Sequence, residues 1–146
     1  MSQAIRNSIY SRLTASTGDG TLYADVGGRF YESQQHQTAE YPHVVYSVTD
    51  NPVEQFFGGK HSQTCEVEFV IRGSLGTEQT SGGSPDAQAV GAMEAKLFTL
   101  MEGVSMTCTG FDRAFCYART RGVPTWNADL GSHESTSTYV VVATSA

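Results

Sequence analysis

The sequence has few lysines, few cysteines and no long apolar run, and each shortage narrows the class of protein. Its 146 residues carry nine Lys and Arg against fifteen Asp and Glu, a net charge of −6, and its lysines are Lys60 and Lys96. Binding to nucleic acid through its phosphates needs many basic contacts, so this function is disfavoured. No segment approaches the roughly 20 consecutive apolar residues of a membrane-spanning helix, and the first residues lack the apolar region of a secretory signal. We therefore expect a protein without membrane spans that is made in a cytoplasm.

The cysteines predict core positions and no disulfide framework. Cys65, Cys108 and Cys116 make an odd number, and no two of them form a C-x-x-C pair. Each lies in a segment of alternating apolar residues, where a free thiol behaves as a small buried hydrophobe.

Motifs of known catalytic and binding sites are also missing. The G-x-S-x-G nucleophile elbow, the glycine patterns of nucleotide-binding loops and a complete calcium loop are all absent. No two histidines have the spacing of a zinc site, so all four are expected to face solvent: His36, His43, His61 and His133. We predict no catalytic residue, no cofactor and no metal. A small hydrolase or metal-dependent enzyme built from distant residues stays open as an alternative of another class, and a ligand-binding module as a third.

Hydrophobic periodicity predicts two main helices. Ile5, Ile9 and Leu13 recur at helical spacing within residues 3–15. A second helix is predicted over residues 85–102, because proline is favoured at the first helical position and glycine just after the last.

The remaining apolar segments predict strands, and the clearest alternates Cys65, Val67, Phe69 and Ile71 inward with Glu66 and Glu68 outward as solvated charges. The predicted strands are residues 42–49, 64–73, 104–110, 113–122 and 136–144, with a long turn region over residues 123–135. Helices and strands in this order predict an α+β fold. We expect one domain over residues 1–146, with a largely antiparallel or mixed sheet and two main helices packed on one side.

Two loops and a small concentration of arginines suggest where partners could bind. Phe56 and Phe57 are adjacent in a long polar loop, where they either fold back over the sheet or anchor a neighbouring copy of the chain. Trp126 poses the same alternative. The arginine cluster of Arg113, Arg119 and Arg121 is expected to form ion pairs on the wet face of a strand, or else to bind carboxylates of a partner. The hypothetical interface residues are Phe56, Phe57, Arg119, Arg121 and Trp126.

The order of the segments resembles the phage tail terminator, or tail-completion, family across nearly the whole chain. The helix "AIRNSIYSRL" precedes "LYADVGGRFY", the proline-led strand "YPHVVYSV", the strand "TCEVEFVIRG", a second helix and the closing strands. The most specific parts are the Gly-Gly-Arg turn at Gly27–Arg29 and the strand beginning Pro42–Val45. His43, between that proline and the valines, is then an incidental residue of a strand whose purpose is assembly.

The resemblance implies a non-enzymatic structural protein of the virion, located in the neck region of the tail. Such a protein forms a ring, typically a hexamer, which caps the tail tube, ends tube polymerisation and offers a surface to the head connector. DNA passes through the ring without specific binding, and an acidic protein suits such a conduit because it repels phosphates. The alternative within the same system is a head-completion or stopper protein of the connector.

Overall fold

A sheet of eight strands forms the larger part of the structure, a computed structural model that describes residues 2–32, 41–50, 54–55, 61–73, 85–129 and 131–144. The strands are β1 (Phe30–Glu32), β2 (His43–Asp50), β3 (Glu54–Gln55), β4 (His61–Arg72), β5 (Val104–Met106), β6 (Arg113–Thr120), β7 (Thr125–Asn127) and β8 (Ser132–Thr144). Their order across the sheet is β1-β2-β4-β8-β6-β5, while β3 pairs with β4 and β7 pairs with β8. The β1–β2 pair is parallel and all other pairs are antiparallel.

Three helices cover one face of this sheet: α1 (Ser2–Leu13), α2 (Leu22–Val26) and α3 (Pro85–Met101). Ile5, Ile9 and Leu13 of α1 are at most 1% exposed, as their spacing predicts. In α3, Val90 and Leu97 are completely buried in the same core. The α+β class, the mixed sheet and the placement of the two main helices are therefore confirmed.

The face of the sheet beneath the helices forms the other half of the core. Cys65, Val67, Phe69 and Ile71 of β4 have no exposed surface, so the strict alternation in the sequence is confirmed. Phe69 meets Tyr139 of β8 edge to face, with ring centroids 5.5 Å apart, an arrangement that aromatic rings favour. Burying large apolar side chains on both layers stabilises the fold by about 1.5–3 kcal/mol for each side chain.

The ends of several elements differ from the sequence prediction. The strand predicted from residue 64 begins at His61, and the strand predicted over residues 104–110 ends at Met106, although Cys108 beyond it is buried. The region predicted as a long turn contains β7 and the beginning of β8. Partner strands cause these differences, because Ser62 pairs with Thr144 and Trp126 with His133 whatever the local polarity.

The two short motifs of the family resemblance meet at one junction. The five-residue helix α2, which the sequence did not predict, ends at Gly27 in the left-handed conformation (φ 60°). Gly28 is also left-handed, and a Cβ there would lie 2.9 Å from the Tyr23 ring, so glycine is required. Arg29 then donates from Nε to the carbonyl oxygen of Pro42 at 2.9 Å. The glycine turn is thereby joined to the start of β2.

Candidate functional site

The sheet face opposite the helices carries two neighbouring exposed aromatic side chains on β6. Ala114 and Cys116 point into the core, which turns Phe115 and Tyr117 outward with 45% and 39% of their surface exposed. Neighbouring exposed apolar groups on a soluble domain commonly mark an interaction site. Neither aromatic residue is among the interface residues that the sequence suggested.

The cross-strand register places two valines of β8 beside these side chains: Val142, which is half-buried, and Val140, which is only 6% exposed. Phe115 pairs with Val142 of β8, and Tyr117 pairs with Val140. Side chains of paired residues in an antiparallel sheet lie on the same face about 5 Å apart. Phe115, Tyr117, Val140 and Val142 are called the aromatic patch below.

Two glutamates of β4 border the aromatic patch. Glu66 pairs with Val140, and Glu68 pairs with Thr138 one row further along β8. Glu68 is exposed and the Glu66 side chain is 42% exposed, so the predicted outward position of both is confirmed. Arg119 reaches over from β6 and places Nη1 3.0 Å from Oε2 of Glu66. The aromatic patch therefore has a mixed border: Glu66 is paired with Arg119, Glu68 adds a negative charge, and the exposed Arg113 on the same face of β6 adds a positive one.

A second concave feature lies in the helix layer. A groove of about 640 Å³ opens between α1, the turn before α2, and α3. Its apolar lining includes Leu13, Leu22 and Leu100, and the side chains of Arg12 and Lys96 also line it. We call it the helix groove. Its residues come from three elements, so no single stretch of sequence indicates it.

The helix groove keeps basic character at its rim. Lys96 binds Asp25 with Nζ 2.5 Å from Oδ2, while Arg12 donates from Nε to the Leu100 carbonyl oxygen at 3.0 Å. A carbonyl does not neutralise a guanidinium, and Arg12 has no ion-pair partner within the described part of the chain. The groove is thus apolar at its base and carries one uncompensated positive charge.

Arg121 is bound within the chain on the helix side of the sheet. Its Nε and Nη2 donate to the two carboxylate oxygens of Glu94 at 2.9 and 2.8 Å. Its guanidinium also lies 3.8 Å from the Phe98 ring centroid, a favourable cation–π contact. The hydrogen bonds with Glu94 raise the pKa of Arg121, which stays charged. The expected ion pair exists, but with an α3 carboxylate and not on the outer strand face.

The structure separates the residues that the sequence grouped as an interface. A register shift in β6 between Ala118 and Thr120 precedes the point where the chain turns toward α3. Arg119 consequently lies beside the aromatic patch and Arg121 on the opposite side of the sheet. Trp126 lies half-buried on β7, edge to face with His133 at 5.1 Å. Phe56 and Phe57 lie outside the described residues.

The prediction that the histidines face solvent is wrong for two of them. His43 is completely buried and His133 is 4% exposed. Aromatic packing explains the burial of His43, since its ring lies 5.3 Å from Tyr31 and 4.5 Å from Tyr41. Arg72 of β4 approaches its Nε2 to 3.5 Å. His36 and the side chain of His61 lie outside the described residues.

The cysteine side chains are buried. Burial, with a smaller effect of the Glu102 carboxylate, raises the pKa of Cys116 from 9.0 to about 12. Burial also raises the pKa of Cys108. All three cysteines are buried and none forms a disulfide, as predicted. Among the described residues, no three His, Cys, Asp or Glu side chains are grouped closely enough to hold a metal ion, and no helix is long and apolar enough to cross a membrane.

Comparison with solved structures identifies a similar fold in a virus-like particle. A chain of the virion of a native gene transfer agent particle is similar to this chain with a TM-score of 0.70 and 12% sequence identity. The match covers 98% of this chain and 96% of that chain. No protein-family model matches the sequence, and the search of curated proteins finds no match. The two chains therefore share a fold from end to end.

Proposed function

We propose that this protein is a structural, non-enzymatic component of a phage or phage-like virion, located in the neck region of the tail. The observation that carries the proposal is the end-to-end fold likeness to a chain of a gene transfer agent virion. A shared fold alone can host many functions. Two further features support assembly in particular: the exposed aromatic patch and the open helix groove, on opposite sides of the domain.

Within the virion, we place the protein at the end of the tail tube, as a ring of copies that is typically a hexamer. The ring would cap the tube, stop its polymerisation and present a surface to the head connector. The sequence resemblance to tail terminators supports this role, and Arg29 joins the two motifs that carry the resemblance. A closed ring needs two different surfaces on each copy, one for each neighbour.

The proposed contacts outside the ring are with the tail tube protein on one side and the connector or stopper protein on the other. Arg119 and Trp126 are accessible enough to take part, as is the exposed part of Arg121. Phe56 and Phe57 remain candidates from the sequence alone. With a net charge of −6 the ring would repel DNA phosphates, so the genome would pass without specific binding.

Catalysis is not part of the proposed function. Ser132, His133 and Ser135 bring hydroxyl and imidazole groups together on β8, and all three are at most 4% exposed. A nucleophile in such a position cannot reach a substrate from solution. Burial likewise raises the pKa of the Cys116 thiol, which favours the protonated form, and the thiolate is the nucleophilic form.

Electron microscopy of particles made without the protein tests the role. We expect tails of uncontrolled length, or finished tails that do not join heads. The purified protein should then restore joining when added to tails. Restoration only when it is added to filled heads would indicate a stopper of the connector instead. Normal joined particles in the absence of the protein would contradict both roles.

A further inference from the structure

We propose that neighbouring copies associate head to tail by inserting the aromatic patch of one copy into the helix groove of the next. This inference rests on the proposed ring and names the two surfaces that form it. The domain has two layers, with the patch on the sheet side and the groove on the helix side. A contact between two different surfaces of identical copies repeats around an axis and can close into a ring.

The shapes of the two surfaces fit each other. Phe115 and Tyr117 stand out from β6 with 45% and 39% of their surface exposed, as two adjacent aromatic projections. The groove has about 640 Å³ of open space above a base that includes Leu13 and Leu22. A cavity of roughly 150 Å³ can hold one benzene ring, so the groove has room for both aromatic side chains. Aromatic groups that fill a partner's pocket commonly dominate the energy of an interface.

Each border carries a charge that can pair with the other surface, although the patch also has the exposed Arg113 beside Phe115 on the same face of β6. The patch is bordered by Glu66 and Glu68, of which Glu66 is paired with Arg119 within its own chain. The groove presents Arg12, which has no carboxylate partner among the described residues, next to the Lys96–Asp25 pair. Glu68 would therefore meet an uncompensated guanidinium. Such pairing would fix the orientation of docking.

The size of the sheet face limits the strength of a single contact. The four central strands β2, β4, β8 and β6 have 8, 12, 13 and 8 residues, and spacings of about 4.8 Å between strands and roughly 3.4 Å along them give a flat area of roughly 670 Å². Stable interfaces bury about 800 Å² on each partner. Two free copies should therefore associate weakly. A closed ring is more stable, because each copy in it uses both of its surfaces.

Sedimentation of the purified protein over concentrations up to about 1 mM tests this contact. The wild-type protein should associate as its concentration rises. Tyr117→Lys should weaken association at least about tenfold by charging the patch, and Ala95→Glu should do the same by filling the groove with a negative charge. Tyr10→Lys and Ala89→Glu are matched controls, since Tyr10 is 48% exposed, Ala89 is an exposed residue of α3, and neither lines the groove. Both controls should behave like the wild type.

A mixture of the two defective variants separates a head-to-tail contact from other arrangements. The Tyr117→Lys protein retains an intact groove and the Ala95→Glu protein an intact patch, so an equal mixture should form dimers and nothing larger. Association of the Ala95→Glu protein at wild-type strength would overturn the contact in favour of patch against patch. A mixture that stays monomeric, or a wild-type protein that stays monomeric at about 1 mM, would also overturn it. If Tyr117→Lys loses its folded circular dichroism spectrum, Tyr117→Thr replaces it, because threonine is favoured in strands.

Particles distinguish failure of this contact from failure of the proposed function. In particles, Tyr117→Lys should produce the same defect as removing the protein. Full rescue by that variant would overturn the contact and leave the terminator role standing. Normal particles made in the absence of this protein would overturn the terminator role, whatever the variants do in solution.

Discussion

Arg119 and Arg121, two positions apart in the sequence, have different environments in the structure. The Arg119 side chain is 61% exposed and its partner Glu66 is 42% exposed. Arg121 instead binds the Glu94 side chain, which is only 7% exposed. Exposed pairs contribute little to stability because water already solvates both charges, whereas a buried carboxylate depends on its partner.

Replacing these two arginines should therefore have unequal effects on folding. Arg121→Ala leaves the Glu94 carboxylate, which is only 7% exposed, without a counterion and should lower the free energy of unfolding clearly more than Arg119→Ala does. Arg119→Ala is the matched control and should change it by about 0.5 kcal/mol or less. Urea denaturation of both variants measures the difference. Equal losses would show that the Glu94 pair is not a structural contact.

The pKa of Cys116 predicts how stability responds to alkaline pH. Its folded-state pKa of about 12 lies above the ordinary value of 9.0, so the folded state keeps the thiol protonated after the unfolded chain has begun to ionise. The contribution of this thiol to the free energy of unfolding is complete below pH 9.0 and is lost as the pH rises toward about 12.

Between pH 8 and pH 10 the free energy of unfolding of the wild-type protein should consequently fall by about 1 kcal/mol more than that of Cys116→Ala. Denaturant unfolding at the two pH values measures this loss for each protein. The variant is expected to be less stable at pH 8 because of the cavity it creates, so only the change with pH is compared. Parallel losses in the two proteins would contradict the raised pKa of Cys116.

At the scale of elements, the sequence predicts those features that depend on a single strand or helix, such as which of its faces is buried. The alternation in β4 and the spacing of Ile5, Ile9 and Leu13 specify the buried faces directly. The beginning of β8, "SHES", reads as a turn because its residues are polar, yet it lies between β4 and β7. Pairing with those neighbours makes it a strand, which no local pattern can indicate.

The chain passes close to β8 at Gly122, and this contact between two elements can be tested. A Cβ at this glycine would lie 2.4 Å from the Ser135 hydroxyl and 2.4 Å from the Thr136 carbonyl oxygen. Gly122→Ala should lower the free energy of unfolding by about 1–3 kcal/mol through this overpacking.

Gly91 is the matched control, because it lies inside α3 and its nearest neighbour would be 3.6 Å away at Pro124. Gly91→Ala should stabilise the protein by about 0.5–1 kcal/mol through better helix propensity. Thermal unfolding compares both variants with the wild type. A stable Gly122→Ala protein would mean that the chain does not pass this close to β8.

At the scale of the whole molecule, the sequence predicts the fold class better than the binding surfaces. The aromatic patch did have a local signal: in "RAFCYAR" the small residues Ala114, Cys116 and Ala118 alternate with large ones. If the small residues are placed in the core, Phe115 and Tyr117 must face outward. The helix groove has no such signal, because its residues come from three elements that only the folded chain brings together.

The environments of the histidines and arginines could not be predicted from the sequence for the same reason. Whether His43 is buried depends on Tyr31 and Tyr41 packing against it, and whether Arg121 faces a partner depends on where α3 places Glu94. These relations arise between elements. Residue type and spacing predict the individual helices and strands. The chemistry of a surface is determined by how those elements pack against each other.

A cryo-electron microscopy reconstruction of the neck of the particle tests the central proposal most directly. We expect a closed ring of this protein at the end of the tail tube, with Phe115 and Tyr117 of each copy seated between α1 and α3 of the next. Absence of the protein from the neck, or its presence there as isolated copies without mutual contact, would contradict the proposed role.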